Sequence, residues 1–153
     1  MKKWIAGLLA LCMMMSMTAA LAEGFTTVEA GKLTYATSPD FPPFESKDDD
    51  GSIIGIEPDI MALIGEKLGL EIEPVEMDFT SALLAAQTGK TDLVVSGVTA
   101  TGENAEIRKT WFDFTDTYVE IQQAIVFKTG KDISMDNLGE QSIGVQSGTT
   151  GQL

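Results

Sequence analysis

Three observations predict a parallel α/β fold. Short strand-like runs recur at Lys32–Thr37, Leu70–Glu76 and Leu93–Val95. Between them lie two stretches with helical apolar spacing, Glu57–Leu68 and Phe79–Thr88, closed by Gly69 and Gly89. The connections are only a few residues long, which is the pattern of strand–helix–strand units rather than hairpins. Such units cross over right-handedly, so the carboxyl ends of their strands share one sheet edge, where open α/β folds bind ligands.

The totals narrow the function. The 153 residues carry a net charge of −13. Loss of Lys2 and Lys3 with a leader would take that to −15, which argues against a nucleic-acid partner, since that needs a basic face. A small anionic ligand stays possible, because one local arginine and a helix terminus outweigh distant, screened charge. Histidine is absent and Cys12 is the single cysteine. With Cys12 removed, a His/Cys metal site, a Cys/His nucleophile and a disulfide are all excluded, and no cofactor is expected.

Lys2 and Lys3 followed by an uncharged run from Trp4 to Ala22, with Ala20-Leu21-Ala22 before Glu23, predict a signal peptide over residues 1–22. A retained membrane anchor is the alternative. Lipidation at Cys12 is a second, disfavoured by Leu11 where a small residue is expected. Each of the three places the protein outside the cytoplasmic membrane. Residues Gly24–Gly31 read as a mobile lead-in.

Lys32–Thr37 (KLTYAT) alternates as a first strand and runs into Ser38-Pro39-Asp40-Phe41-Pro42-Pro43-Phe44-Glu45. The prolines make this a stiff, non-helical loop. Phe41 stands at the strand end as a pocket wall, whereas Phe44 packs into the core. Lys47–Gly51 lacks the acidic spacing of a calcium loop and reads as a turn. Ser52–Ile56 follows as a short strand. The first helix starts at Glu57-Pro58-Asp59 with Pro58 at its first position, and has a buried stripe of Ile60, Leu63, Ile64 and Leu68. Asp78 caps the second helix, which begins at Phe79.

The stretch from Asp92 to Tyr118 organises the chain. Leu93-Val94-Val95 is a buried strand that ends at Ser96 and Gly97. Thr99 and Thr101 then lead to Glu103 as a hydroxyl-capped helix start. Free N–H groups, hydroxyls and a helix dipole pointing to one place make an anion site. Arg108 and Lys109 form the adjacent basic pair beyond it. Next, Val119–Lys128 is long enough for a crossing connection, and Ser134–Leu138 reads as a short helix. Ser142–Gln146 is another buried strand, ending in Ser147-Gly148-Thr149-Thr150-Gly151. That second turn repeats the glycine–hydroxyl chemistry of the first.

The motifs ATSPDFPPFE, GIEPDIMALIGEKLG, MDF, TGKTDLVVSGVTAT, DFTDTY and IGVQSGTTG occur in this order. With them the chain, from Leu33 onward, resembles the bacterial extracellular solute-binding proteins of polar amino-acid ABC transporters. The resemblance implies a type II periplasmic-binding-protein clamshell that closes on one free amino acid and presents it to a membrane permease. It assigns residues 23–118 to lobe 1, mostly present, and 119–153 to the interlobe crossing and the beginning of lobe 2. A monomer is expected. The resemblance also implies that Phe41 and Phe79 sandwich the ligand, and that Ser96, Gly97 and Thr99 meet its ammonium and carboxylate. Thr149 and Thr150 would close on the carboxylate from the other lobe, with Ser38 at a side-chain-contacting position.

The departures are specific. Counting forward from Gly97, the family's carboxylate-binding arginine falls on Asn104; counting back from Asp113-Phe114-Thr115, it falls on Arg108. The four-residue offset is one helical turn, roughly 6 Å along the axis, and Arg108 is the preferred anchor. Pro58 and Gly65 replace a usual aliphatic residue and a usual alanine. Lobe 2 stops after its first strand and turn, so a fragment with little affinity of its own is expected. Two other functions share this clamshell. One is a dehydratase of the arogenate or prephenate type, for which Glu45, Glu57 and Asp59 are the available acids, each read as structural or solvated. The other is the sensing domain of a receptor.

Overall fold

The structure, a computed structural model, describes residues 26–152. The signal peptide expected over 1–22 lies outside the described residues. Among these, no helix is long and apolar enough to cross a membrane.

The first strand, β1 (Lys32–Thr37), is the centre of the molecule. It pairs in parallel with β5 (Glu71–Glu76) on one side, from Lys32 opposite Glu71 to Thr37 opposite Glu76. On the other side it pairs with β6 (Leu93–Val94), Tyr35 opposite Leu93 and Ala36 opposite Val94. The order β5-β1-β6 is the parallel sheet expected from the strand–helix–strand pattern. However, β1 is not a half-exposed alternating strand, because every residue from Leu33 to Thr37 is buried. Leu33 and Tyr35 pack on Met61 of helix α1 (Ile56–Leu68). Ala36 meets Ala82 and Ala85 of helix α2 (Phe79–Gln87) on the opposite face. A helix on each face covers the strand on both sides, as parallel sheets require.

Helix α1 begins earlier than the proline suggested, at Ile56, so Pro58 is its third residue. Its N-cap is Gly55 at φ 136°, where a Cβ would stand 2.2 Å from the Phe44 carbonyl oxygen. Its buried face also differs from the expected stripe: Met61 and Gly65 are buried, while Leu63 is 66% exposed. A side chain at Gly65 would meet Ile72 Cγ1 at 2.5 Å, so the glycine lets α1 lie close on β5. At α2, Asp78 caps as expected and accepts from Ser81 N–H at 3.1 Å.

The lead-in is tied down rather than free. Asp92 accepts from Val28 N–H at 2.7 Å, Thr34 N–H at 2.8 Å and the Thr34 hydroxyl at 2.6 Å. Burial raises the Asp92 pKa, but these bonds outweigh it and hold the carboxyl below its ordinary value.

The proline loop supplies β2 (Asp40–Phe41) and β3 (Glu45–Lys47), which the sequence did not announce, and these pair antiparallel with β4 (Ile53–Ile54), the short strand expected at Ser52–Ile56, in a second sheet. Helix α3 spans Glu103–Arg108 and is capped by Gly102 with no side-chain bond, so neither Thr99 nor Thr101 caps it. Beyond it, residues 119–128 form no helix or strand and are exposed. The helix expected at Ser134–Leu138 is instead a turn followed by a 3-10 segment, Leu138–Glu140. The strand expected at Ser142–Gln146 forms no ladder among the described residues and is exposed throughout.

Candidate functional site

A cleft of about 200 Å³ opens at the carboxyl ends of β1 and β6. Phe41, Phe79, Ser96, Gly97, Thr99, Arg108, Thr149 and Thr150 all line it. Eight of the nine residues singled out in the sequence are thus brought together. Ser38 is not: it is buried behind the wall, its N–H donating to Ser96 Oγ at 3.0 Å and its hydroxyl to Asp40 Oδ1 at 3.2 Å.

Each wall has a local cause. Phe41 leaves the sheet at a proline-bounded strand end and stacks on Phe44 at 5.0 Å between ring centroids. Its ring lies against Gly97, where φ is +57° and a Cβ would be 2.8 Å from Phe41 Cδ1. Only glycine accepts both the backbone angle and the ring. Phe79 is the first residue of α2 and carries the guanidinium of Arg108 over its ring, 5.7 Å from the centroid.

Arg108 is 3% exposed and ends α3. Its Nη1 donates to the Thr99 carbonyl at 3.3 Å and its Nη2 to the Gly148 carbonyl at 2.8 Å. It therefore bridges the two glycine–hydroxyl turns. Burial lowers its pKa, yet a guanidinium stays charged. Asn104 is absent from the cleft lining, so the geometry favours Arg108 of the two positions left open by the sequence. Thr150 donates to the Thr99 hydroxyl at 3.0 Å, joining the turns a second time.

Two expectations about donors change. The Gly97 N–H is engaged by Glu57 Oε1 at 2.9 Å and is not free to meet a ligand. Helix α3 is too short, and too acidic in its first turn with Glu103 and Glu106, to act as an anion site by its dipole. The positive charge of the cleft comes from Arg108.

The sequence missed Asp40, Ile121, Gln123 and Gln146, which line the cleft together with Glu45. Asp40 accepts from Gln146 Nε2 at 3.1 Å across the opening. Its place beside Phe41 at a strand end was the one available signal. Glu45, read as structural or solvated, is buried, and burial together with hydrogen bonding to Glu57 pushes its pKa up to about 9. Asp59 is exposed, as a solvated residue would be.

The profile of the bacterial extracellular solute-binding proteins, family 3, matches residues 33–150. The chain belongs to this family. Among family relatives, it is 38% identical to the arginine-binding extracellular protein ArtP of Bacillus subtilis over 97% of this chain and 57% of that protein. It is 35% identical to a probable histidine-binding protein of Neisseria gonorrhoeae over 99% of this chain and 57% of that protein. The chain therefore spans little more than half the length of these relatives. Solved structures agree on the type II clamshell. An ancestral arginine-binding protein bound to glutamine shares 40% identity at a TM-score of 0.55, covering 60% of this chain and 39% of its own. An ancestral amino acid-binding protein, a precursor of cyclohexadienyl dehydratase, shares 36% identity at a TM-score of 0.52, covering 58% of this chain and 38% of its own.

Proposed function

We propose that this family member takes part in capturing a free polar amino acid outside the cytoplasmic membrane, for delivery to the permease of an ABC transporter. The observation that carries the reading is the position of Arg108. A buried guanidinium lies on an aromatic face between two hydroxyl-rich turns, which is how a carboxylate is recognised in a shielded cleft. Arg108 and the Thr99 hydroxyl, which accepts from Thr150 and keeps its own proton to give, take the ligand's α-carboxylate, with the Thr149–Thr150 backbone closing on it from the second turn. Phe41 and Phe79 flank its body. Asp40, an exposed carboxylate in the cleft lining, faces the ligand's cationic end, and this favours arginine or histidine over acidic amino acids.

With the two turns assigned to different lobes, as the resemblance implies, a ligand bound to both would favour closure by its differential affinity for the closed state. A thermal-shift series with arginine, histidine, glutamine and glutamate tests the reading. Arginine or histidine should give the largest stabilisation and glutamate none; stabilisation by glutamate alone would overturn the cation preference.

A second reading is favoured by the dehydratase-precursor likeness together with a neutral carboxylic acid at the cleft. In it, Glu45 acts as general acid, protonating the departing ring hydroxyl as an arogenate-like substrate loses water and carbon dioxide together. Incubation with arogenate decides: phenylalanine formation supports the enzyme, and its absence leaves the binding reading.

A further inference from the structure

Two buried carboxyl groups under the cleft are not used by the binding reading. Glu45 of β3 and Glu57 of α1 are each 1% exposed. One oxygen of each is accounted for. Glu45 Oε1 accepts from the Ser96 hydroxyl at 3.0 Å, and Glu57 Oε1 accepts from the Gly97 N–H at 2.9 Å and from the Tyr118 hydroxyl. The other two oxygens, Glu45 Oε2 and Glu57 Oε2, are buried with no protein donor. Two orphaned acceptors in one cluster call for a missing donor. The two carboxyls bond adjacent residues, Ser96 and Gly97, and Glu57 is among the causes that raise the Glu45 pKa, so one proton held between them would satisfy both.

The surroundings leave little else to neutralise the pair. Tyr35 of β1 faces it, and burial keeps that phenol protonated. Asp40 of β2 adds a like charge beside Glu45. Tyr118 donates from the connection, its own pKa raised by burial and by Glu57. Arg108 bonds neither glutamate, its protein partners being the Thr99 and Gly148 carbonyls. Among the described residues, no ion pair includes either glutamate.

We propose that Glu45 and Glu57 share a single proton, carried by Glu45 as a neutral acid, and that this pair is the positioning device that fixes the Ser96 hydroxyl and the Gly97 amide at the cleft floor. Ser96 Oγ accepts from Ser38 N–H, so its one proton goes to Glu45 and its rotor is set. The Gly97 amide is held by Glu57, which pins the positive-φ turn on which Phe41 lies.

The linkage has a definite sign. Burial first, then Glu57, raises the Glu45 pKa from 4.5 to about 9. Between those values the folded chain keeps a proton that the unfolded chain has released. Stability therefore falls as pH rises through that window and levels off above it.

Glutamine substitutions imitate one proton count or the other. In Glu45→Gln the amide donates to Glu57 Oε2 while its oxygen still accepts from Ser96. Glu57→Gln keeps its oxygen for Gly97 and donates to Glu45 Oε2. With both replaced, two donors face each other.

The test follows the glutamate side-chain carbons and the Gly97 amide of the full chain by NMR, without ligand, so it is separable from the amino-acid reading. One glutamate should remain protonated at neutral pH and lose its proton in the alkaline range, with the Gly97 amide moving at the same midpoint. Glu45→Gln should abolish both changes, and the double variant should melt below either single one. Glutamates that all titrate in the acid range, a Gly97 amide indifferent to the alkaline step, or a double variant as stable as the singles would each overturn the proposal.

Discussion

The two glycine–hydroxyl turns of the cleft share a composition but not a foundation. Ser96–Thr101 follows a strand of the central sheet and has Ser96 buried beneath it, bonded to Ser38 and Glu45. Ser147–Gly151 follows an exposed segment with no ladder. It is joined to the rest of the chain by Arg108 on Gly148, Thr150 on Thr99, Thr80 on the Ser147 carbonyl at 3.4 Å and, one residue earlier, Gln146 on Asp40. One half of the cleft is built by the fold, and the other half is held by the cleft itself. A ligand that fills the cleft would therefore act mainly on the second turn.

Hydrogen exchange should expose this difference most strongly. Amides of β1 and β5 should be protected at least roughly a thousandfold more than those of residues 142–149. Equal protection would show that the second turn has support of its own. Next in size, Met61→Ala removes the side chain on which Leu33 and Tyr35 pack, and should cost about 2–5 kcal/mol in urea unfolding. Val126→Ser, at a position 94% exposed in the crossing segment, should stay within about 0.5 kcal/mol.

Arg108→Lys separates the turns directly. A lysine keeps the charge but cannot fork to two carbonyls, so NMR relaxation should show Ser147–Gly151 loosening while Ser96–Thr101 stays ordered. The expected loss of stability is about 1–3 kcal/mol. A smaller effect belongs to Asp92, which ties the lead-in to β1. Its lowered pKa makes its contribution full above the ordinary carboxyl value near 3.8 and lost as pH falls through the folded value. The stability gap between wild type and Asp92→Asn should accordingly close in acid. Least of all, Lys47→Ala breaks an exposed pair with Glu76 and should change stability by no more than about 0.5 kcal/mol.

The parallel core was legible because its signals are local: glycine stops, an aspartate cap and apolar runs of strand length. The convergence of Phe41, Phe79 and Gly97 followed from handedness alone. What escaped was set by partners distant in the chain. Nothing near Thr34 shows that helices cover β1 on both faces, and nothing near Glu45 shows that Glu57 and Ser96 close over it. Ser142–Gln146 has the composition of a buried strand, but burial needs a neighbour, and the described residues supply none. Helix α1 shows the same limit at smaller scale: its spacing marked a helix, while the choice of Met61 over Leu63 for the core depended on where β1 lies.

The central claim is that Arg108 and the two turns hold an α-carboxylate. NMR titration of the chain with L-arginine, in parallel with its carboxamide L-argininamide, tests it most directly, since weak binding is still read residue by residue. The account predicts shifts confined to the cleft, at Phe41, Phe79, Thr99, Arg108 and Gly148–Thr150, with arginine, and their loss with the carboxamide. Equal shifts from both compounds, or shifts away from the cleft, would contradict it.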